Sequence, residues 1–301
     1  MVQYVLRMLN CKYGDHAEVT SRADTLRQAP PPVLQRAMDL AREKGASCWL
    51  TALPIMEHGF SLHKGAFRDA LSLRYSWELS HIPGSCSCGK SFSVEHALSC
   101  LKGGFPSLRH NEIRNITATL MSEVCHDVSI EPPLQPLSGE HLDHASARTI
   151  DGAHLDIAAS GFWGGRARAF FDVRVFNPYA PSNSQLVLPS IYRKHEREKK
   201  RLYDQRVREV EFGSFTPLVM SLTGGWGKEA AVCYKRLASS LSTKWKQPYS
   251  KTMGWLRCIL SFSLLRSAIM CVRGTRSSAG HVPNVTSGPI DLIHRESLFS
   301  V

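Results

Sequence analysis

The sequence lacks a disulfide framework. Its nine cysteines are odd in number and scattered, which argues against a small cross-linked secreted scaffold and for reduced thiols, some of them available to a metal. A cleavable leader is also missing. The opening MVQYVLRMLNCKYGDH breaks its short apolar run at Arg7 and offers no small-residue cleavage site, so an intracellular protein is expected. No apolar run is clean enough to read as a membrane span: the longest, GWLRCILSFSLLRSAIMCV, is interrupted by Arg257 and Arg266 and reads as a buried or amphipathic helix. Acid is scarce relative to base, with 26 Asp+Glu against 37 Lys+Arg and a net charge of +11. That balance favours a polyanionic partner, most often nucleic acid, although a basic surface can also serve solubility alone. Apolar residues are plentiful. At 43% of 301 residues they suffice for one substantial domain with a satellite.

Residues 1 to 32 hold a short helix-like piece, a polar stretch and the stiff break Ala29-Pro30-Pro31-Pro32. The segment VLQRAMDLAREKG then carries Leu34, Ala37, Met38 and Ala41 at helical spacing and ends at Gly45. FSLHKGAFRDALSLRYSW repeats the pattern and predicts a buried face made of Phe67, Leu71 and Tyr75.

The run CSCGKSFSVEHALSC is different in kind. Cys86 and Cys88 sit on a turn with Gly89, and His96 and Cys100 follow one helical turn apart. Four soft ligands in fifteen residues suit tetrahedral zinc, and four protein ligands leave no open position, so the role expected is structural.

From Pro106 onward the order of elements carries the information. PSLRHNEIRNITATLMSEVC puts Ile113, Ile116, Leu120 and Val124 on one helical stripe, and a strand around Val128 stops at Pro132-Pro133. After a loop from Gln135 to Arg148 comes LDIAASGFWGGRARAFFDVRV, two β-prone runs joined by the glycines a tight reversal needs. Each run holds one acid, Asp156 and Asp172, with fifteen residues between them, which places two carboxylates on neighbouring strands. Burying them together requires a cation or a proton unless nearby arginines such as Arg148, Arg166, Arg168 or Arg174 pair with them. PSIYRKHEREKKRLYDQRVREVEF predicts a helix, FTPLVMSL a fourth strand and KEAAVCYKRLASSLSTKW a further helix.

On the helix after the hairpin, Tyr192, Tyr203, Val207 and Val210 mark one stripe, and Lys199 projects from it. Lys200 is rotated from Lys199 by about 100° and Lys194 by about 140°. Two strand acids with an inward lysine suit metal-assisted phosphodiester hydrolysis. The carboxylates would hold Mg²⁺, and the lysine would stabilise charge and orient water. A third acid is expected from Glu112 on the first helix, with Glu123 the weaker candidate.

The ordered set resembles the zinc knuckle and restriction-like endonuclease of non-LTR retrotransposons, enzymes of the PD-(D/E)XK superfamily. The residues carrying the likeness are Cys86, Cys88, His96 and Cys100, then Arg109-His110-Asn111, then Asp156 and Asp172, then the Lys-rich helix with Tyr203. It covers roughly residues 80 to 246. The resemblance implies an α/β fold with an αβββαβ core, in which Asp156 is the first acid, with Leu155 where a proline is usual, and Asp172 the second. Arg174, not lysine, stands two positions beyond Asp172, so the catalytic lysine is matched to Lys199 on the following helix, with Lys194 and Lys200 left open by the FNPYAPSNSQLVLP insertion. Arg109 and His110 are expected to help position DNA, and Arg174, Lys194 and Lys200 to meet its phosphates.

The same likeness implies an enzyme that nicks double-stranded DNA in the nucleus and exposes a 3′-hydroxyl from which a reverse transcriptase primes on element RNA. Residues 1 to about 80 would be the tail of that polymerase. No Tyr-x-Asp-Asp-like segment is present, so polymerisation is not expected of this chain, which reads as a truncated or separate copy. The expected division is 1–45 helical lead and proline break, 46–105 connector and knuckle, 106–246 nuclease, and 247–301 a helix with a disordered tail. A decayed copy that grips nucleic acid without cutting is the competing expectation.

Overall fold

A computed structural model describes residues 32–135 and 155–274. The proline-rich break up to Pro31, most of the loop after Gln135 including Arg148, and the tail from residue 275 lie outside the described residues. The architecture is mixed α/β, with eight α-helices and one four-stranded mixed sheet among the described residues. In chain order these are α1 (Pro32–Arg42), α2 (Cys48–Thr51), α3 (Lys64–Tyr75), α4 (Val94–Ser99), α5 (Phe105–Ser122), β1 (His126–Ile130), β2 (Ile157–Ser160), β3 (Arg168–Phe176), α6 (Leu188–Glu209), β4 (Ser214–Ser221), α7 (Lys228–Trp245) and α8 (Tyr249–Arg273). From α5 to α7 this is the order expected from sequence.

The sheet order is β1-β2-β3-β4. β1 and β3 run antiparallel to β2, while β4 runs parallel to β3 because the chain crosses over through α6. Pro217 sits inside β4 opposite Asp172. A proline has no N–H for a ladder, and it is tolerated here because β4 is an edge strand. The β2–β3 hairpin turns through Gly161, Gly164 and Gly165, all at positive φ, a conformation that costs glycine little.

Side chains alternate across β3. Ala169, Phe171 and Val173 face the main core with Leu218 and Met220 of β4, Ile113, Ile116 and Leu120 of α5, and Tyr234 and Leu237 of α7. Phe170 faces the other way and packs with Tyr203 and Val207 of α6 and with Phe215. Asp172 shares that second face. α6 therefore covers one side of the sheet, and α5 and α7 cover the other.

α8 is long and apolar enough to cross a membrane by composition alone, yet 67% of its most apolar stretch is buried inside the protein. It lies against α5 and α7 on one side and against α2, α3 and α4 on the other. The knuckle is joined to the rest through it, with Phe92, Leu98 and Cys100 packing on Ala268, Cys271 and Val272.

The first helices are part of the same body. Leu40 packs with Ile191, Tyr192 and Val219. Glu43 accepts hydrogen bonds from the Tyr192 hydroxyl at 2.7 Å and the Ser221 hydroxyl at 3.1 Å. The face expected for α3 is only partly the buried one: Leu71 packs against the main core. Phe67 is 42% exposed, whereas Ala66, Asp69, Ala70 and Ser72 are buried. Small side chains let α3 come close, and Asp69 is drawn inward by Arg273, whose Nε and Nη2 each donate to it at 2.7 Å.

Candidate active site and metal centre

The knuckle ligands converge. The donor atoms of Cys86, Cys88, His96 and Cys100 all lie within 4.8 Å of one another. Local structure explains how. Cys86 and Cys88 lie on a turn closed by the Gly89 N–H on the Cys86 carbonyl at 2.9 Å, with Gly89 at φ 87°. α4 opens with Ser93, whose hydroxyl accepts the His96 N–H at 3.2 Å and so sets the start of the helix that carries His96. Cys86 and Cys100 sulfurs are 3.8 Å apart. A tetrahedral centre with metal–sulfur bonds of about 2.3 Å has a sulfur–sulfur edge of about 3.8 Å. This Cys₃His cluster could hold a metal such as zinc. Burial disfavours the charged form of both Cys86 and Cys100. The Cys88 N–H and the neighbouring His96 and thiols offset this for Cys86, whose pKa falls to about 6, while the adjacent thiols push Cys100 further up. Both sulfurs can ionise together only with a cation between them.

The second cluster is built by the sheet. Ile157 pairs with Phe171, and just beyond this end of the ladder lie Asp156, one residue earlier in the chain than Ile157, and Asp172, one residue later than Phe171. Beyond that pair the bonding is offset by one residue, with the Asp156 N–H on the Phe171 carbonyl at 3.1 Å. Both acid side chains are buried.

Among the described residues, the partners they take are not Arg166, Arg168 or Arg174. Asp156 Oδ2 accepts the Val173 N–H at 2.6 Å and its Oδ1 lies 2.8 Å from His110 Nε2. Asp172 Oδ2 forms an ion pair with Lys199 Nζ at 2.8 Å, though without the alignment of a full hydrogen bond. Lys199 Nζ also lies 5.4 Å from the Tyr203 ring centre. Burial raises the Asp172 carboxyl, Lys199 opposes this, and the Asp156 charge adds to the rise, giving a pKa of about 6. Tyr203 is raised to about 12 by burial and then by the charges of Asp172 and Asp156.

The remaining candidates are placed elsewhere. Glu112 lies about 200° around α5 from His110. Its carboxyl is raised by burial and held down by Arg266 and Ser263, so it faces α8 and not the strand acids. Glu123 caps the far end of α5, about 20 Å along the axis from His110, and pairs with Lys244 at 3.1 Å. Arg109 is also not where a DNA contact requires it. It is 4% exposed and donates to the Leu98 carbonyl at 3.4 Å, joining α5 to the knuckle helix. Lys200 pairs with Glu229 at 2.7 Å, at the start of α7. Lys194 and Arg174 are exposed. Arg174 follows Asp172 by two residues on β3, so it shares the α6 side of the sheet.

Two members of the acid cluster are not legible as such in the sequence. His110 is expected on DNA and is found on Asp156, and Tyr203 is one residue of a motif until the structure sets its ring beside Lys199. A cavity of about 650 Å³ bounded by Trp49, Trp77, Leu79, Phe92 and Tyr179 contains none of these groups. Comparison with known protein families finds no matching model, and comparison with curated proteins finds no significant match.

Proposed function

We propose that this chain is a magnesium-dependent DNA endonuclease of the restriction-like kind, nicking duplex DNA as part of retrotransposon integration, with a structural zinc in its knuckle. The observation that carries this reading is the meeting of Asp156, Asp172 and Lys199. They come from the residue before β2, from β3 and from α6, and they gather two buried carboxylates and one ammonium at one end of the sheet.

The residues fit a hard divalent cation. Their donors are carboxylate oxygens, and Lys199 balances only one of the two negative charges. Mg²⁺ commonly takes one or two carboxylates and completes its shell with water and substrate phosphate. Asp156 and Asp172 would hold it, and when bound it supplies Lewis-acid polarisation of the phosphoryl oxygen and a more acidic water. Lys199 contributes a fixed positive charge beside the reacting phosphate, preorganised by its ion pair and by the Tyr203 ring. The net charge of +11 favours the polyanionic partner, and Lys194 and Arg174 are exposed for phosphate contact. Element RNA and a reverse transcriptase belong to the same reading as partners, and the nucleus as the place of action.

The test is nicking of supercoiled plasmid by the purified chain with Mg²⁺. Wild type should convert it to open circle and Asp172→Asn should not. Salt-dependent DNA binding without nicking by either protein would select the reading in which the chain is a zinc-stapled binding module that no longer cuts.

A further inference from the structure

The acids differ in how they are held. Asp172 lies within β3 and its Oδ2 meets an ammonium from α6. Asp156 precedes the first residue of β2, its backbone is held on both sides by the Phe171 carbonyl and the Glu131 N–H, and no ammonium among the described residues pairs with it. Its carboxylate is fixed instead by two donors, the Val173 N–H at 2.6 Å and His110 Nε2 at 2.8 Å. An ionised carboxylate only accepts, so His110 must carry its hydrogen on Nε2. Among the described residues two of the roughly four lone-pair positions of the carboxylate are then used, which leaves two for an ion.

The placement of His110 follows from the phase of α5. His110 and Arg114 are one turn apart on the helix. Each grips a residue of the sheet end: His110 holds Asp156, and Arg114 pairs with Glu131, whose N–H donates to the Asp156 carbonyl at 2.9 Å. The backbone and the carboxylate of Asp156 are thus both referred to α5. The His110 side chain is 33% exposed, so it stands at the boundary between the helix layer and solvent and does not fill the core.

We infer that His110 is a positioning residue, which aims the Asp156 carboxylate at a divalent cation shared with Asp172. This inference rests on the proposed ion site. Donors of this kind behind a metal-binding group typically set affinity by about 10- to 100-fold.

The test is calorimetric titration of Mn²⁺ into the full chain with its knuckle loaded with zinc. His110→Ala should weaken Mn²⁺ binding about 10-fold or more, and His110→Gln, whose amide reaches a position near Nε2 and donates, should recover most of it. His110→Asn is too short to reach and should resemble alanine. Thermal melts without Mn²⁺ check that each variant is folded, and if the alanine variant is not, the Gln and Asn pair carries the comparison. Equal Mn²⁺ affinity for wild type and the Ala or Asn variant, with Asp172→Asn weakened, overturns the role of His110 and leaves the site standing. Mn²⁺ binding that is absent from wild type, or unchanged in Asp172→Asn, overturns the site and this inference with it.

Discussion

The knuckle and the acid cluster are two ways of making a charged site. The knuckle takes all four ligands from fifteen consecutive residues, and one turn plus one short helix bring them together. The acid cluster takes its groups from α5, from the residue before β2, from β3 and from α6, with 46 residues separating His110 from Asp156. The first needs only local backbone geometry, whereas the second needs the sheet to be paired in register and both helix layers to be docked. The two should therefore fail differently. Damage to the knuckle should remove any metal it holds and the local fold with it, and damage to the acid cluster should remove the proposed chemistry from a protein that still folds.

The largest effect separates them at once. Freshly purified protein should contain about one zinc per chain by elemental analysis, and Cys100→Ser should lose it. Metal binding in small zinc modules is worth on the order of 10 kcal/mol of apparent folding energy. Cys86 and Cys100 pack beside Phe92 and Leu98 against α8, so loss of the metal should loosen the knuckle and lower the melting temperature of the whole chain. A Cys100→Ser protein that melts as wild type does would break the comparison, because the knuckle would then be held by packing alone.

The next effect belongs to the acid cluster. Lys199→Met should cut nicking by about 10²- to 10³-fold while leaving zinc content unchanged. It should also move the pH profile. The folded pKa of Asp172 is about 6, raised from its ordinary 3.8, so the fold binds this proton more tightly than the unfolded chain does. Its contribution to stability is full below about pH 4 and is lost as pH rises through about 6, on the order of 3 kcal/mol in all. Activity runs the opposite way, because the ionised form is the one that binds a cation: kcat/KM should rise with pH through about 6. Lys199 holds that value down, so its removal should shift the midpoint upward. A midpoint that stays in place in Lys199→Met would show that another group sets the profile.

What can be read from sequence follows the same division. The four knuckle ligands are legible because their contacts are local. The hairpin is legible because strand alternation and the glycines between Ser160 and Arg168 fix its register, and Lys199 because one apolar stripe of α6 points inward. The misreadings fall where a helix has two buried sides or where residue size misleads. α5 is covered by the sheet and by α8, so its stripe of Ile113, Ile116 and Leu120 does not tell which side bears the chemistry, and the sequence reading assigns Glu112 and Arg109 to the wrong one. On α3 the large residues suggest the core face, but close approach favours Ala66 and Ala70. The partner of His110 is not legible at all, since it depends on where α5 meets the start of β2.

The smallest effect sharpens the comparison from within one helix. Glu112 and His110 are two residues apart on α5, yet they face opposite layers. Glu112→Gln keeps the shape of the side chain and removes a charge whose burial raises its pKa, in exchange for losing attraction to Arg266. These terms oppose each other, so the stability change should stay within about 1 kcal/mol, as for most single replacements that create no cavity and strand no buried polar group. Nicking should remain within about 2-fold of wild type, because the expected change is remote from the reacting phosphate and shares no partner with Asp156 or Asp172. If instead Glu112→Gln abolished nicking in a protein with normal melting and full zinc content, the ion site would have to extend through α5 towards α8. The acid cluster would then be assembled across the core and not at one end of the sheet.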